Sequence, residues 1–310
     1  MERRGFLRTI GAGALAAMVA PAAMADCAKH PRQLLLVELR GGNDGLNTVV
    51  PFAEPSYYRL RPTIGIARDR LLRLDERVGL HPSLAALMPL WCDGEMAILQ
   101  GVGCPQPNLS HCRSREIWHS AAITEQPTPV DWAGRAQRLD PRILCAGLAN
   151  GGFAGGLLAA CEPAAGQGGC RVIRLVLDGF DTHHDQGPRH AQLLARLADG
   201  LHALRTTLSE QGRWDSTLVV THSEFGRRAA ENTLGGTDHG AAAVHFAFGG
   251  RVRGGLYGEA PPLDESGGFG NPPAGLDFRA VYATVLDHWL GVPALDVLGG
   301  RFRTASFLRA

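Results

Sequence analysis

The chain has 310 residues, enough for one large domain or two small ones with a sizeable buried core. Hydrophobic residues make up 45% of the sequence and charged residues 20%, which is ordinary for a soluble globular protein. The formal net charge is +1 and the sequence has no basic stripe, so the composition argues against a protein that grips nucleic acid.

The first 26 residues predict an export signal and not a part of the fold. Arg3 and Arg4 precede a weakly apolar stretch and then the small residues 23–25, which is the pattern of a twin-arginine signal with an Ala-x-Ala cleavage site. The apolar stretch is too short and too rich in Ala and Gly to span a membrane as a helix. We therefore expect residues 27–310 to form a single domain in the periplasm or outside the cell, without a stable membrane span.

Apolar runs and helical periodicity then predict alternating strands and helices along the mature chain. In chain order these are a strand at Leu34–Leu39, a helix beginning near His81, a strand at Met96–Gln100, a helix opening at a polar cap near Ser110, a strand at Val172–Leu177, a helix over 189–212 that Gly212 ends, strands at Leu218–Val220 and within 242–250, and a helix over 278–291. This alternation predicts an α/β fold with a mainly parallel central sheet flanked by helices. The Gly- and Pro-rich stretches Ala146–Gly169 and Glu259–Gly275 are interpreted as surface insertions.

Seven cysteines occur without any CxxC pair, which argues against a structural zinc site. Cys161 with Cys170, and Cys104 with Cys112, are close enough in sequence to form disulfides in an oxidising compartment. The connectivity stays open at this stage.

Polar side chains collect directly after the predicted strands. They are Asn43 and Asp44, then Asn108, Ser110 and His111, then Asp178, Asp181, His183 and His184, then His222 and Glu224, with Asp238 and His239 before the next strand. In an open α/β sheet, ligands bind beyond the carboxyl ends of the strands. Carboxylates and imidazoles at such ends predict a site for zinc, manganese or iron. His111 is interpreted as a core or supporting histidine.

Six motifs in order resemble the bacterial DUF1501 proteins. They are LRGGNDGLNTVVP, GLHPSLAALMPL, NLSH with REIW, GFDTHHDQ, LVVTHSEFGRR with GTDHG, and GGLYGE, and they cover nearly the whole mature chain. The family is functionally uncharacterised and is grouped with the alkaline phosphatase-like superfamily of phosphatases, sulfatases and phosphoglycerate mutases. The resemblance implies that superfamily's fold and two metal ions about 4 Å apart, which stabilise the attacking and leaving oxygens of an in-line displacement.

The resemblance also implies site residues, carried over by motif. Ser110 matches the nucleophile. Apart from the resemblance, Arg227 and Arg228 follow the strand at Leu218–Val220 and are candidates to clamp a phosphate or sulfate oxygen, so that one of them would steady the charge of the transition state. The implied metal ligands are Asp44, Asp181, His183, Glu224 and His239. Glu224, with or without His222, replaces the superfamily's usual Asp-His pair, and His184 and His190 compete with His183.

These residues predict an exported hydrolase of phosphate or sulfate esters that depends on a divalent metal, zinc or manganese, and acts on a small anionic substrate. The alternative is a non-catalytic binding or structural protein of the cell envelope that keeps the fold and has an envelope partner. The replaced Asp-His pair and a short segment between Trp118 and Asp178 favour that alternative. A single metal ion with a purely structural role is a third interpretation.

Overall fold

A computed structural model describes residues 30–123, 129–148, 151–163, 169–263, 271 and 273–309. The predicted export signal and Cys27 lie outside these ranges. The described strands are β1 (Arg32–Arg40), β2 (Val49–Val50), β3 (Leu72–Arg73), β4 (Gly79–Leu80), β5 (Met96–Gly103), β6 (Ile143–Leu148), β7 (Cys170–Asp178), β8 (Thr217–His222), β9 (Gly226–Arg227), β10 (His239–Gly240), β11 (Ala242–Phe248), β12 (Gly255–Tyr257) and β13 (Leu276–Asp277).

The α-helices in the same ranges are α1 (Gly45–Thr48), α2 (Pro55–Leu60), α3 (Met88–Cys92), α4 (His111–Ser120), α5 (Trp132–Leu139), α6 (Gly152–Cys161), α7 (Gln186–Glu210), α8 (Phe278–Val285) and α9 (Ala294–Leu298). Short 3-10 helices occupy Arg68–Arg70, Pro82–Leu87 and Trp214–Ser216, and a π-helical turn at Leu286–Leu290 extends α8. Within the described ranges, no helix combines the length and the apolar character needed to cross a bilayer.

Eight strands form one central sheet in the order β12-β5-β11-β8-β1-β7-β6, with β13 also paired to β5. The pairs β1–β7, β1–β8, β6–β7, β12–β5 and β13–β5 are parallel, whereas β11 is antiparallel to both β5 and β8. The mixed α/β architecture, with a mainly parallel sheet flanked by helices, confirms the predicted fold class.

Strand β1 is buried on both faces because its side chains alternate between two cores. Leu34 and Leu36 belong to one core, which packs against α4, α5, α8 and α9. Leu35 and Val37 belong to the other, which packs against α3, α6 and α7. The unbroken apolar run in the sequence therefore marks the middle of a three-layer structure.

Two expectations about the chain differ from the structure. The stretch Ala146–Gly169, interpreted as a surface insertion, contains the end of β6 and the helix α6. The glycines have low helix propensity, so the sequence does not predict this helix. It forms because Phe153 and Ala160 pack in the core beside β7. The six described cysteines are all free, including both pairs considered for disulfides.

The parallel strands bring their carboxyl ends to one edge of the sheet. Arg40 at the end of β1 is in register with Asp178 at the end of β7, and Glu38 with His222 at the end of β8. The turn after β1 passes close to the loop after β7, because a Cβ at Gly41 would lie 2.3 Å from the Asp181 amide nitrogen. This close approach, at a φ of +116°, explains why the sequence has glycine at that position.

Candidate metal centre

Two loops, one helix and one short strand meet at this edge of the sheet. Asp181 and His183 lie on the loop after β7, and Glu224 lies on the loop after β8. His111 is the first residue of α4, and His239 begins the short strand β10, which pairs with β9. These side chains therefore come from segments far apart in sequence.

Three of these side chains place one atom each at the corners of a nearly equilateral triangle. The Nε2 atoms of His183 and His239 are 3.0 Å apart. Each of them lies 3.1 Å from Oδ1 of Asp181. Zinc bonds of about 2.0–2.1 Å at tetrahedral angles would place ligand atoms about 3.3 Å apart, so this spacing suits one ion.

His111 forms a second set of three with Asp181 and His239. Its Nε2 lies 3.4 Å from Oδ2 of Asp181, and ligand atoms of His111, Asp181 and His239 all lie within 4.8 Å of one another. Asp181 exposes 45% of its side chain, which leaves the group open to an ion and to a substrate. The donor set of three imidazoles and one carboxylate suits zinc or manganese.

Two of the imidazoles, those of His239 and His111, are oriented by an acceptor on the other nitrogen. Nδ1 of His239 lies 2.9 Å from the Leu109 carbonyl oxygen, and Nδ1 of His111 lies 2.9 Å from Oε1 of Glu224. Nδ1 of His183 lies 3.6 Å from a carboxylate oxygen of Asp238. An acceptor at Nδ1 holds the proton there and leaves the Nε2 lone pair for a metal, as in known metal sites.

The protonation states also suit metal binding. Burial lowers the pKa of His239 below its ordinary value, which favours the neutral ring that a metal requires. Burial would raise the pKa of Asp181, but its contacts with His239 and Arg227 outweigh burial and lower that pKa to about 2. Asp181 is therefore ionised at neutral pH.

Glu224 contacts Nδ1 of His111, on the side of that ring away from Asp181, and is not one of the side chains grouped around Asp181. Its two carboxylate oxygens accept hydrogen bonds from the backbone N–H of Gly41 at 3.0 and 3.1 Å. The side chain is buried, with 2% of its surface exposed. Glu224, predicted as a ligand, is thus placed to orient His111 and to join the β1 turn to the β8 loop.

Asp44, also predicted as a ligand, is enclosed by the protein. Its carboxylate forms a buried ion pair with Arg61 at 2.6 Å and accepts a short hydrogen bond from Gln186. It also caps α1 by accepting from the backbone N–H groups of Leu46 and Asn47. Burial would raise the pKa of Asp44, but the Arg61 guanidinium outweighs it and lowers that pKa.

Arg227 is also occupied within the protein. Its guanidinium donates to the carbonyl oxygens of Gly41, Gly42, Phe180 and Thr237 and to Asp181 Oδ1, at distances of 2.5–2.9 Å. Only 2% of the residue is exposed. The structure therefore places Arg227 as a tie between the turn after β1 and the loop after β7.

Ser110 is exposed and lies directly before His111, at the N-cap of α4, where its hydroxyl makes no capping hydrogen bond.

The two other histidines considered in place of His183 lie elsewhere. His190 is buried with its Nε2 2.9 Å from Asn43 Oδ1, and His184 lies at the surface beside Asp185. Sequence reasoning left His111 in a supporting role. Its position immediately after Ser110, at the start of a helix that follows a strand, is the signal that could have placed it in the site.

A match to a family model shows the family to which the chain belongs. A family model described as "Protein of unknown function (DUF1501)" matches residues 124–290, more than half of the chain. The chain belongs to the DUF1501 family. The predicted resemblance is thereby confirmed, and a comparison of this DUF1501 protein with curated proteins finds no match.

Several solved structures are similar to this DUF1501 protein at low identity. The C-terminal periplasmic domain of EcEptC from Escherichia coli, in complex with Zn, is 11% identical with a TM-score of 0.41, covering 71% of this chain and 73% of that one. A protein in the alkaline phosphatase superfamily from Vibrio parahaemolyticus is 8% identical with a TM-score of 0.42, covering 86% and 68%. The lipoteichoic acid synthase LtaP from Listeria monocytogenes is 9% identical with a TM-score of 0.38, covering 76% and 68%.

Proposed function

We propose that this protein is an exported, metal-dependent hydrolase of phosphate or sulfate esters. The observation that carries the proposal is the cluster of His111, Asp181 and His239, which His183 joins through Asp181 and His239, beside an exposed serine at a helix N-terminus. His111, His183, His239 and Asp181 would hold the ion. The paired arginines at the start of the sequence place the activity outside the cytoplasm in this proposal.

A bound zinc or manganese ion supplies Lewis-acid stabilisation of the negative charge that develops on the ester oxygens. The chain's own residues bind and orient the substrate. The first turn of α4 presents backbone N–H groups that the helix does not use, and its positive end favours an anionic ester. The Ser110 hydroxyl, exposed at that end, would attack the phosphorus or sulfur atom, and the ester oxygen would leave as an alcohol that takes up the serine proton. Water would then release the phosphate or sulfate from Ser110 and restore its hydroxyl.

The geometry supports one ion and not the pair that the family resemblance implies. The Nε2 atoms of His183 and His239 converge on one carboxylate oxygen of Asp181. The two other carboxylates predicted as ligands have protein partners, Arg61 for Asp44 and the Gly41 amide for Glu224. The proposal therefore assigns a single-ion centre to this chain.

A structural role for that ion is the second candidate. It is favoured by Arg227, whose guanidinium contacts backbone carbonyls and Asp181 instead of facing the open side of the site. In that case the ion would fix the loops after β7 and β10 without any turnover.

The test uses the full chain matured through export, with metal content measured by mass spectrometry and turnover measured on aryl phosphate and aryl sulfate esters. We expect one equivalent of metal and hydrolysis of at least one ester. Ser110→Ala should keep the metal and lose turnover by about a thousandfold or more, because it removes the attacking oxygen. The control Ser209→Ala, an exposed serine near the end of α7, should change neither quantity.

His239→Ala should lose both the metal and the turnover. One equivalent of metal without turnover of either ester would assign the structural role. Exported protein that carries no metal, or full activity in Ser110→Ala, would overturn the proposed hydrolase.

A further inference from the structure

A polar cleft lies at the carboxyl edge of the sheet, on the face covered by α4 and α5, apart from the candidate metal centre. It has a volume of about 300 Å³, at the lower end of the range for small-molecule sites. Leu36 and Leu175 supply its apolar part. Its polar lining is formed by Glu38, Arg40, His119, Asp131, Arg174 and His222.

The charges in this cleft are compensated in pairs. Arg40 donates two hydrogen bonds to the Glu38 carboxylate, from Nε at 2.9 Å and from Nη2 at 3.0 Å. Nη2 of Arg174 lies 2.9 Å from a carboxylate oxygen of Asp131. Burial would raise the pKa of Glu38, but the nearby His119 ring and the hydrogen bonds from Arg40 outweigh it and hold that pKa well below its usual range, so Glu38 stays ionised. Two cations and two anions therefore cancel.

Two buried polar atoms in the cleft have no aligned hydrogen-bond partner among the described residues. They are Nδ1 of His222 and Nη2 of Arg174, whose contact with Asp131 is close but not directed along an N–H bond. His222 is 94% buried, and its ring stacks on Trp118 at 5.8 Å. Burial lowers the pKa of His222 to about 3, so the ring is neutral and has one donor and one acceptor nitrogen. Buried polar atoms without partners are costly, and a ligand that bonds to them removes the cost.

This lining selects the charge of its ligand. Two guanidinium groups disfavour a metal cation, and the buried Glu38 carboxylate disfavours a phosphate or sulfate anion. A neutral ligand with several hydroxyl groups can both donate to Glu38 and accept from Arg174, and it can bond to Nδ1 of His222.

We infer that the cleft between β1, β7, β8 and α4 is a binding site for a neutral sugar ring, separate from the metal centre. His119 and His111 lie eight residues apart on α4, which is about 12 Å along a helix axis. The sugar site does not depend on hydrolysis at the metal centre.

The experiment titrates the exported full chain with the methyl glycosides of glucose, galactose, mannose and N-acetylglucosamine, using saturation-transfer NMR. Saturable binding of at least one glycoside is expected. His119→Ala, at a half-exposed position that folding tolerates, and Arg174→Gln should each weaken it about tenfold, the loss expected for one hydrogen bond to a polar or charged group. The matched control His202→Ala, on the exposed face of α7, should bind normally.

Two further measurements separate this site from other interpretations. His239→Ala, which alters the metal centre, should leave glycoside binding unchanged. Sodium sulfate and magnesium chloride should not compete with the glycoside. Binding of none of the four glycosides, equal binding in His119→Ala and Arg174→Gln, or displacement by sulfate would each overturn the inference.

Discussion

Asp44 illustrates, at the scale of single residues, how a carboxylate at a strand end can be fully engaged by the protein. The Asn-Asp-Gly turn places it at the edge where ligands bind, as the sequence predicts. The structure surrounds it with Arg61, Gln186 and two backbone N–H groups. Its charge therefore stabilises the fold around Arg61, and its exposed surface is 1%.

Replacing Asp44 by Asn should cost stability and leave metal binding intact. The change leaves the buried Arg61 without its counterion, and breaking a buried ion pair costs about 3–5 kcal/mol. Urea unfolding followed by circular dichroism measures the free energy of unfolding, and mass spectrometry measures bound metal. Asp185→Asn, at a carboxylate 82% exposed, is the control and should change neither. Loss of metal with unchanged stability would return Asp44 to the ligand set.

The sequence could predict which residue types meet at the site but not which way they face. Asp181, His183 and His239 were predicted as ligands, and the structure brings them together. Glu224 has the same chemistry, yet Gly41 and His111 bind its two oxygens. Which carboxylate faces the proposed ion is decided by backbone amides from distant segments, and spacing along the chain contains no information about them. The roles of all these side chains in metal binding remain predictions.

At the scale of elements, the short β9–β10 pair holds one side of the metal centre. Arg227 on β9 is directly opposite His239 on β10. The pair is possible because glycine occupies the other two positions. A Cβ at Gly226 would lie 1.7 Å from the Ala242 carbonyl oxygen, and one at Gly240 would lie 2.4 Å from the Arg227 carbonyl carbon.

Gly226→Ala should therefore disturb the metal centre without touching a ligand. The added methyl must push β9 away from β11, a steric cost of about 1–3 kcal/mol in stability. The resulting shift of Arg227 and His239 should weaken metal affinity about tenfold or more, the effect typical of altered supporting contacts. Metal titration by calorimetry measures the affinity.

The matched control is Gly187→Ala, in the first turn of α7, where an added Cβ has no atom within 4 Å. It should keep metal affinity and be neutral or slightly stabilising, because alanine favours helix. Equal metal affinity in Gly226→Ala and the wild type would argue against the role given to β9.

The elements that the sequence predicts and those that it does not differ in how they are stabilised. The predicted strands β1, β5, β7, β8 and β11 are mainly apolar, with Arg174 inside β7 and His245 inside β11, and most of their residues are buried. Helix α6 contains three glycines and is stabilised by packing against the sheet, which local propensity does not encode. The antiparallel direction of β11 depends on the route of the chain, which apolar content leaves open.

At the scale of the whole molecule, the two cores on either face of the sheet enclose neutral histidines. His190, His222 and His245 are buried, and burial lowers the pKa of each to about 3. Both ring nitrogens of His245 lack a hydrogen-bond partner among the described residues, and the ring packs edge-on against Trp118 at 5.2 Å. These rings bind no proton in the folded state at mildly acidic pH.

Stability should consequently fall as the pH drops below about 6.5, the ordinary pKa of an unfolded histidine. Between that value and about 3, the unfolded chain binds protons on these rings and the folded chain does not, so acid favours unfolding. Well below 6.5, each ring contributes about 1.4 kcal/mol per pH unit to the loss of stability, or about 4 kcal/mol per unit for the three together.

Urea unfolding at several pH values between 4 and 7 measures this dependence of stability on pH. His245→Phe keeps the aromatic packing and removes one titrating ring, so it should lower the slope by about 1.4 kcal/mol per pH unit, whereas His202→Phe on the exposed face of α7 should not. An unchanged slope in His245→Phe would mean that this ring does not gain a proton on unfolding in that range.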